Sequence, residues 1–432
     1  MRRGTPRPSA SRLLPLLGPL LLPLPWIALA QQGPVLSPWL TAALAGAAIL
    51  GAAFLLSWAA ELFQMDVSQA LALALLALIA VLPEYAVDAV FAFQAGADPA
   101  VAQLGYAVAN MTGANRLLIG LGWSLVVLVA CWRQRAHKMA LAGHQVLEMS
   151  VLLAATIYAF LVPFKGELNL LDLVVLLALF GIYMWATARG PAEEPELAGP
   201  AAMLGQLSTG RRRAVTAGLF LIAAYTIFVS AEPFAAGLVE TGHALGIDEF
   251  LLVQWLAPLA SEAPEFIVAM LFVWRGQAAA GLRTLVSSEV NQWTLLVATL
   301  PLVFSVGAGA LTGMPLVLRQ QHEVWLTAAQ SLFAIVLISR LVLSRWEAVA
   351  LLLPFLVQLV LPPVIEGWDV RMMFTAAYVL AALGLLLDPR RRRALGRWPG
   401  ELAAVIAQPA PAEPLRAPDL RPGAAPRQPT AR

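Results

Sequence analysis

Five acidic side chains lie in stretches whose neighbours are almost all apolar. Glu84 and Asp88 stand four apart in the run 69–94, Glu262 and Glu265 three apart in 248–274, and Glu289 follows in 280–313. Residues three or four apart share a helix face, so each pair is a local patch of carboxylates. Two carboxylates held together resist joint ionisation unless a cation sits between them. Such a site is stable when loaded with a metal ion or with protons, and costly when empty and anionic. Each patch also contains a Pro-Glu step, Pro83-Glu84 and Pro264-Glu265. Proline cannot donate to the carbonyl four residues earlier, which frees the oxygens of Ile79 and Ala260 near the acids. Hard cations such as Na⁺ and Ca²⁺ take oxygen ligands of this mixed kind. Asn110, Thr112 and Asn115 can add amide and hydroxyl oxygens from one stretch, and Ser261, Ser287, Ser288, Asn291 and Gln292 from another. The expected cation ligands are Glu84, Asp88, Asn110, Asn115, Ser261, Glu262, Glu265, Ser288, Glu289 and Asn291.

The elements that carry these residues must cross a membrane. Of 432 residues, 60% are hydrophobic and 12% charged, and mean hydropathy is +0.76. A soluble domain carries about 25% charged residues to coat its surface, twice what this chain has. Apolar segments recur at 13–30, 39–60, 69–94, 100–131, 144–163, 169–188, 213–237, 248–274, 280–313, 323–341, 346–363 and 371–387, most of them near the ~20 residues that span a bilayer as a helix. The first follows Arg2, Arg3, Arg7 and Arg12 and ends in Ala28-Leu29-Ala30, so it reads either as a first helix or as a cleaved signal. Residues 408–432, rich in Pro, Ala and Arg, read as a disordered tail.

Lys and Arg set the orientation. Arg133, Arg135 and Lys138, then Arg189 and Arg211 to Arg213, Arg275 and Arg283, Arg340 and Arg345, and Arg390 to Arg393 all fall on one side if the segments alternate. The other side holds single basic residues such as Lys165, Arg319 and Arg371. The expectation is an integral plasma (inner) membrane protein with the basic side and C-terminus in the cytoplasm.

The chain also repeats itself. The two Pro-Glu steps are 181 residues apart, and each is followed some 25 residues later by a polar cluster and a Leu-Leu pair: Asn115-Arg116-Leu117-Leu118 and Trp293-Thr294-Leu295-Leu296. Ser57 to Glu61 and Ser230 to Glu232 match more loosely in the preceding helices. Five spans per copy, an odd number, turn the second copy upside down. Inverted repeats with Pro- or Gly-interrupted helices point to a midplane substrate site. The expected fold is therefore an all-α polytopic membrane protein, two inverted five-helix repeats plus an extra helix at each end. The boundaries are 1–38 for the signal or first helix, 39–188 and 213–363 for the repeats, and 189–212 for a cytoplasmic linker. Residues 364–407 form the last helix and its basic flank.

Plainer readings exist for single features. Asn and Ser clusters glue helices together, Glu61, Glu240, Asp248 and Glu249 lie near segment ends, and Arg116 either pairs structurally or acts as a tethered cation that neutralises a site carboxylate. The duplication of Pro-Glu with a second acid argues for function at the acids themselves.

In these motifs the chain resembles the calcium/cation antiporter superfamily, the sodium/calcium exchanger membrane region in particular. Leu82-Pro83-Glu84 and Ala263-Pro264-Glu265 match the Pro-Glu core, and Ala109 to Asn115 matches the second family signature, over roughly residues 39–363. The resemblance implies that Glu84 and Glu265 are the central ion-binding carboxylates, with Asn110 beside them. It implies a secondary active antiporter exchanging Ca²⁺, or a similar cation, for Na⁺ or H⁺ by alternating access. The family's hydroxyl pair before the first Pro-Glu is Ala80-Val81 here and Ser261-Glu262 in the second copy, and its small hydroxyl residue after the first glutamate is Asp88. Lost hydroxyls and added acids shift the ligand set and make proton coupling a rival to Na⁺. A non-transporting or channel-like ion-binding protein of the same fold is the alternative.

Other classes lack support. Cys131 is the one cysteine, and His137, His144, His243 and His322 are scattered. His322-Glu323 lacks the second histidine of a zinc-protease motif, so no enzyme is expected. Net charge is +2, which argues against nucleic acid. The expected partners are the lipid bilayer and the transported cations, with no cofactor.

Overall fold

The computed structural model describes residues 17–30, 36–66, 82–141, 145–189, 197, 199–361, 364–365 and 368–407. Within them, every expected apolar segment is helical, as lipid demands of a backbone that has no outside hydrogen-bond partner. After α1 (Pro23–Ala30), the first half contains α2 (Pro38–Phe63), α3 (Leu82–Ala97) and α4 (Pro99–Leu104). Next, α5 (Tyr106–Leu117) runs through a π-helical stretch, Leu118–Trp123, into α6 (Ser124–Arg133). Then come α7 (Val146–Ala159), α8 (Val162–Lys165) and α9 (Leu170–Thr187). In the second half, α10 (Gly199–Leu204) precedes α11 (Thr209–Leu245) and α12 (Glu249–Trp274). There α13 (Ala278–Asn291) runs through a second π stretch, Gln292–Leu296, into α14 (Val297–Ala308), followed by α15 (Leu318–Ile338) and α16 (Arg345–Val360). The chain closes with α17 (Val370–Leu385) and α18 (Pro389–Ala407).

Among the described residues, seven helical stretches are long and apolar enough to cross a membrane. An eighth would join α17 to α18, but these meet at 91°. The basic flank expected after the last span is therefore itself helical, and turns sharply away from it. The segment expected as a first helix or a signal packs on α2 and α11, and the Trp26 indole donates to the Val229 carbonyl of α11 at 3.4 Å. Residues 1–16, the 69–81 part of the third segment with Ile79, and the 408–432 tail lie outside the described residues.

The short strands reveal how the halves interlock. β1 (Lys138–Ala140), after α6, pairs antiparallel with β4 (Val342–Ser344), just before α16. β2 (Glu167–Leu168), just before α9, pairs with β3 (Met314–Pro315), after α14. In each half, the segment after the third long helix thus pairs with the segment before the fifth helix of the other half. The two pairings exchange under an inverted two-fold relation, and they close opposite ends of the antiparallel α7 and α15. A third pairing, β5 (Val364–Ile365) with β6 (Trp368–Asp369), makes the turn into α17.

Small residues let the helices approach, as membrane bundles require in the absence of a hydrophobic drive between helices. Along α2, Ala45, Ala48, Ala52 and Ala59 are fully buried against the outer elements, of which α11 lies closest. Gly105 and Gly113 act as the sequence suggests. Gly105 has φ +71° and breaks α4 from α5. At Gly113 a Cβ would stand 1.8 Å from the Gln254 carbonyl oxygen. That carbonyl is the one Pro258 leaves without its helical donor, so the backbone of α5 rests against an oxygen released by a proline in α12.

At the basic side, Asp66 beyond α2 receives both Arg212 nitrogens, Nη2 at 2.8 Å and Nε at 2.9 Å, and Arg213 Nε at 3.1 Å. The Arg212 hydrogen bond holds the Asp66 carboxyl below its ordinary range, against the opposing effect of burial. A carboxyl lowered on folding stabilises above its unfolded pKa and loses that contribution as pH falls through its folded one. Asp66→Asn is expected to cost about 1 kcal/mol at pH 7. The melting temperatures of parent and variant in detergent should converge as pH drops below about 4, the ordinary carboxylate value. Gly113→Ala is expected to cost about 1–3 kcal/mol, the range for overpacking, read as a lower melting temperature or a lost monodisperse peak.

Candidate functional site

The carboxylates collect where α3 and α12 meet the polar stretches of α5 and α13. Glu84, Asp88, Glu262 and Glu289 are each at most 2% exposed, and Glu265 is half-buried. The two acidic patches, read from segments far apart in the chain, converge. Gln292 joins them: its Nε2 donates to Glu84 Oε2 at 2.9 Å and to Glu262 Oε1 at 2.6 Å. The Glu84 and Glu262 carboxyls, one from each half, thus share a single amide group.

The flanking pairs extend the cluster on both sides. Asn110 donates from Nδ2 to Asp88 Oδ1 at 2.9 Å. Glu289 accepts from Ser331 Oγ at 3.4 Å, and Ser331 is fixed by the Trp293 indole N–H at 3.0 Å. Other expected ligands spend their donors locally. Asn115 donates to the Met111 carbonyl at 2.7 Å, and Ser261 to those of Ala257 and Pro258. Thr112 donates to the Val108 carbonyl at 2.6 Å, and Ser287 lies away from the carboxylates, near Tyr183 Oη.

Oxygen is what the site has in excess. Glu84 Oε1, Asp88 Oδ2, Asn110 Oδ1, Asn115 Oδ1, Glu262 Oε2, Glu265 Oε2, Ser288 Oγ, Glu289 Oε2, Asn291 Oδ1 and Gln292 Oε1 are all buried without a hydrogen-bond partner among protein atoms. Nearly all buried polar atoms in folded proteins are paired. So dense a group of unpaired acceptors on facing helices fits a function in capturing positive charge. Among the described residues, no three His, Cys, Asp or Glu side chains converge closely enough to hold a metal ion by themselves. A cation would need the mixed set of carboxylate, amide and hydroxyl oxygens. The Gln292 amino group, between Glu84 and Glu262, would have to turn its oxygen inward.

The π stretches matter to this register. Each inserts an extra residue into a turn, a distortion often found at functional sites. In the first half it follows the polar cluster; in the second it begins at Gln292, inside the cluster. Counting residues between the copies therefore cannot align their polar positions.

Arg116 does not neutralise a site carboxylate. Its Nη2 pairs with Glu323 at 2.6 Å, and its guanidinium lies 5.0 Å from the Trp255 ring centroid. Glu323 and Gln254 carry this pairing, and neither stood out by sequence, because Glu323 lies near a segment end and Gln254 is a lone amide. Glu232, the loose match in α11, is exposed on the outside of the bundle.

The family model described as sodium/calcium exchanger protein matches residues 37–188 and 215–362. The crystal structure of the H⁺/Ca²⁺ exchanger CAX is similar at TM-score 0.85 and 43% sequence identity, covering 92% of this chain and 99% of that one. The structure of native YfkE, at 15% identity, shares the fold with TM-score 0.56 over 85% of this chain and 99% of its own. No match is found among curated proteins. The chain belongs to the sodium/calcium exchanger protein family.

Proposed function

We propose that this protein exchanges Ca²⁺ for protons across the membrane by alternating access, at the site between α3, α12 and the third long helix of each half. The observation that carries this reading is the bridging of the buried Glu84 and Glu262 carboxyls by Gln292 Nε2, amid buried oxygens without a hydrogen-bond partner. A carboxylate accepts either a cation or a proton, so the two can replace each other among such oxygens. Protons on two of these carboxyls would match the charge of one divalent cation. Leaving the five acids ionised and uncompensated would cost about 2.5–3.5 kcal/mol each at mid-bilayer, together about the whole stability of an ordinary domain. The site is thus expected to pass between a protonated and a cation-loaded form without an empty anionic one, which is the condition for obligatory exchange.

Glu84 and Glu265, one from each half, are the proposed central ligands. Asp88, Glu262, Glu289, Asn110, Ser288 and Asn291 complete the oxygen set, with Asn115 and Ser261 farther out. Gln292 holds Glu84 and Glu262 in place while the ion is absent, its amino group standing where a cation would bind. The 43% identity to an H⁺/Ca²⁺ exchanger supports protons as the coupling ion, as does the replacement of family hydroxyls by acids. The positive-side clusters support a cytoplasmic C-terminus. A non-transporting protein of this fold would be favoured by an Arg116 that neutralises the site and by the lost hydroxyls; the pairing of Arg116 with Glu323 leaves only the hydroxyls.

Reconstitution tests this. In liposomes, ⁴⁵Ca²⁺ uptake is expected against an outward H⁺ gradient and not against an outward Na⁺ gradient. Glu84→Gln and Glu265→Gln are expected to bring it to the level of empty vesicles. Uptake driven only by Na⁺ would replace the coupling ion, and absence of uptake by folded protein under either gradient would reject Ca²⁺ exchange.

A further inference from the structure

The last helix carries charge that the ion site does not use. α18 contains five arginines and one acid, Glu401. Arg391, Leu395, Trp398 and Leu402 recur at helical spacing and form one face. Arg391 and Trp398 are buried, and the two leucines are half-buried against the hydrophobic core. That face packs on α7. Arg391 fastens it to α15: Nη1 donates to the carbonyls of Val336 at 2.8 Å and Leu337 at 2.6 Å, in the last turn, and Nη2 pairs with Glu347 of α16. Carbonyls in the last turn of a helix have no partner within it, so this arginine caps α15 from outside.

The other four arginines have no such role. Arg390, Arg392, Arg393 and Arg397 are exposed, and by helical period Arg390, Arg393 and Arg397 lie opposite the packed face. Among the described residues no carboxylate pairs with any of the four; Glu347 is taken by Arg391 and Arg340. α18 stands at 91° to α17, so it runs along the bilayer plane where α17 crosses it. Exposed tryptophans mark its level. On the basic side Trp274 ends α12, Trp185 stands in the last turn of α9, and Trp346 in the first turn of α16. Each has an arginine over its ring: Arg133 is 4.6 Å from the Trp274 centroid, Arg189 4.0 Å from Trp185 and Arg345 5.4 Å from Trp346. Tryptophans at the ends of membrane helices sit among the headgroups. Glu347, which holds Arg391, follows Trp346 in α16, so α18 lies at that level too.

We infer that α18 is a binding surface for anionic phospholipid headgroups in the leaflet on the basic side, with Arg390, Arg392, Arg393 and Arg397 as its phosphate contacts. A guanidinium matches a phosphate with two parallel hydrogen bonds. Each basic residue near a membrane surface strengthens attraction to anionic lipid about fivefold, and the attraction fades within a Debye length, about 8 Å in physiological salt. Arginine side chains at headgroup level lie inside that range. Most basic interfacial helices also insert an apolar face between the lipids. Here that face is spent on α7 and the end of α15, so the protein holds the helix at the surface and its charge acts on the headgroups. A nucleic acid or an acidic protein would meet the same charges, but only from the aqueous side, whereas headgroups adjoin them at all times. Such a surface works whichever ion the protein carries.

The test reads which lipid stands beside α18. A Cβ at Gly396 would meet open space, so a bimane is attached at Gly396→Cys in a Cys131→Ser background. The full-length protein is reconstituted into mixed phosphatidylglycerol and phosphatidylcholine vesicles, with one lipid or the other brominated on its acyl chains to quench the bimane. Quenching is expected to report about a fivefold or greater preference for phosphatidylglycerol, the effect of one arginine, and to lose it in about 0.5 M NaCl. The combined Arg390→Gln, Arg392→Gln, Arg393→Gln and Arg397→Gln variant should show no preference while keeping the parent melting temperature. Four lysines in the same places should retain the preference. The salt arm reads the parent alone, so it decides the matter even if the glutamine variant unfolds. Equal quenching of the parent by both lipids, a preference indifferent to salt, or one that survives the glutamines would overturn the proposal. So would a bimane that responds to polyglutamate or DNA but not to phosphatidylglycerol, which would assign the face to a soluble polyanion.

Discussion

Burying carboxylates in a lipid-surrounded bundle is the constraint on which the rest of this structure depends. Water would solvate Glu84, Asp88, Glu262, Glu265 and Glu289 at no cost, but hydrocarbon gives them no partner. The protein must therefore surround them with its own polar groups and place them where proton or cation can reach. Helices that each carry one polar stripe solve the problem when several stripes face one another. That is why Asn110, Ser288, Gln292 and Ser331 sit in otherwise apolar helices, and why the acids come from both halves.

Bringing those stripes together demands close helix approach, and the sequence meets the demand with residues that are poor helix formers in water. Pro258 releases the Gln254 carbonyl and Gly113 lets the backbone of α5 settle on it. Gly105 turns the chain between α4 and α5, and Gln320 packs against it from the other half. Each device weakens a helix locally, and the neighbouring helix restores what was lost, so the local defects make sense only within the assembled bundle. The same logic governs the buried arginine: Arg116 is tolerable in α5 because Glu323 and Trp255 enclose it.

Duplication is the second organising fact. The strand pairings β1 with β4 and β2 with β3 tie each half to the other at opposite ends of α7 and α15. Side chains add to that tie: Gln145 donates to the Ala279 carbonyl, and Gln320 to those of Ala102 and Gln103. The Pro-Glu repeat was readable because its residues are rare inside apolar runs. The ties made by Gln145 and Gln320 are not readable in this way, because a Gln near a segment end looks like an ordinary interfacial residue until its partner is known.

The sequence by itself determined that this chain spans a membrane many times, that it is built of two inverted copies, and that Glu84 and Glu265 are equivalent positions in them. Those properties rest on hydropathy, on the odd number of spans and on Pro-Glu spacing, all of which are local or periodic. Only the tertiary structure decided that Gln292 stands between Glu84 and Glu262, that Ser261 and Asn115 turn their donors to their own helices, and that Arg116 belongs to Glu323. It also decided that the basic flank after α17 is a helix set at 91° to it. The reason is that a helix period tells which residues share a face, whereas the partner across that face is chosen by packing. Two π stretches, at different places relative to the polar clusters, rotate those faces by amounts that no count of residues discloses.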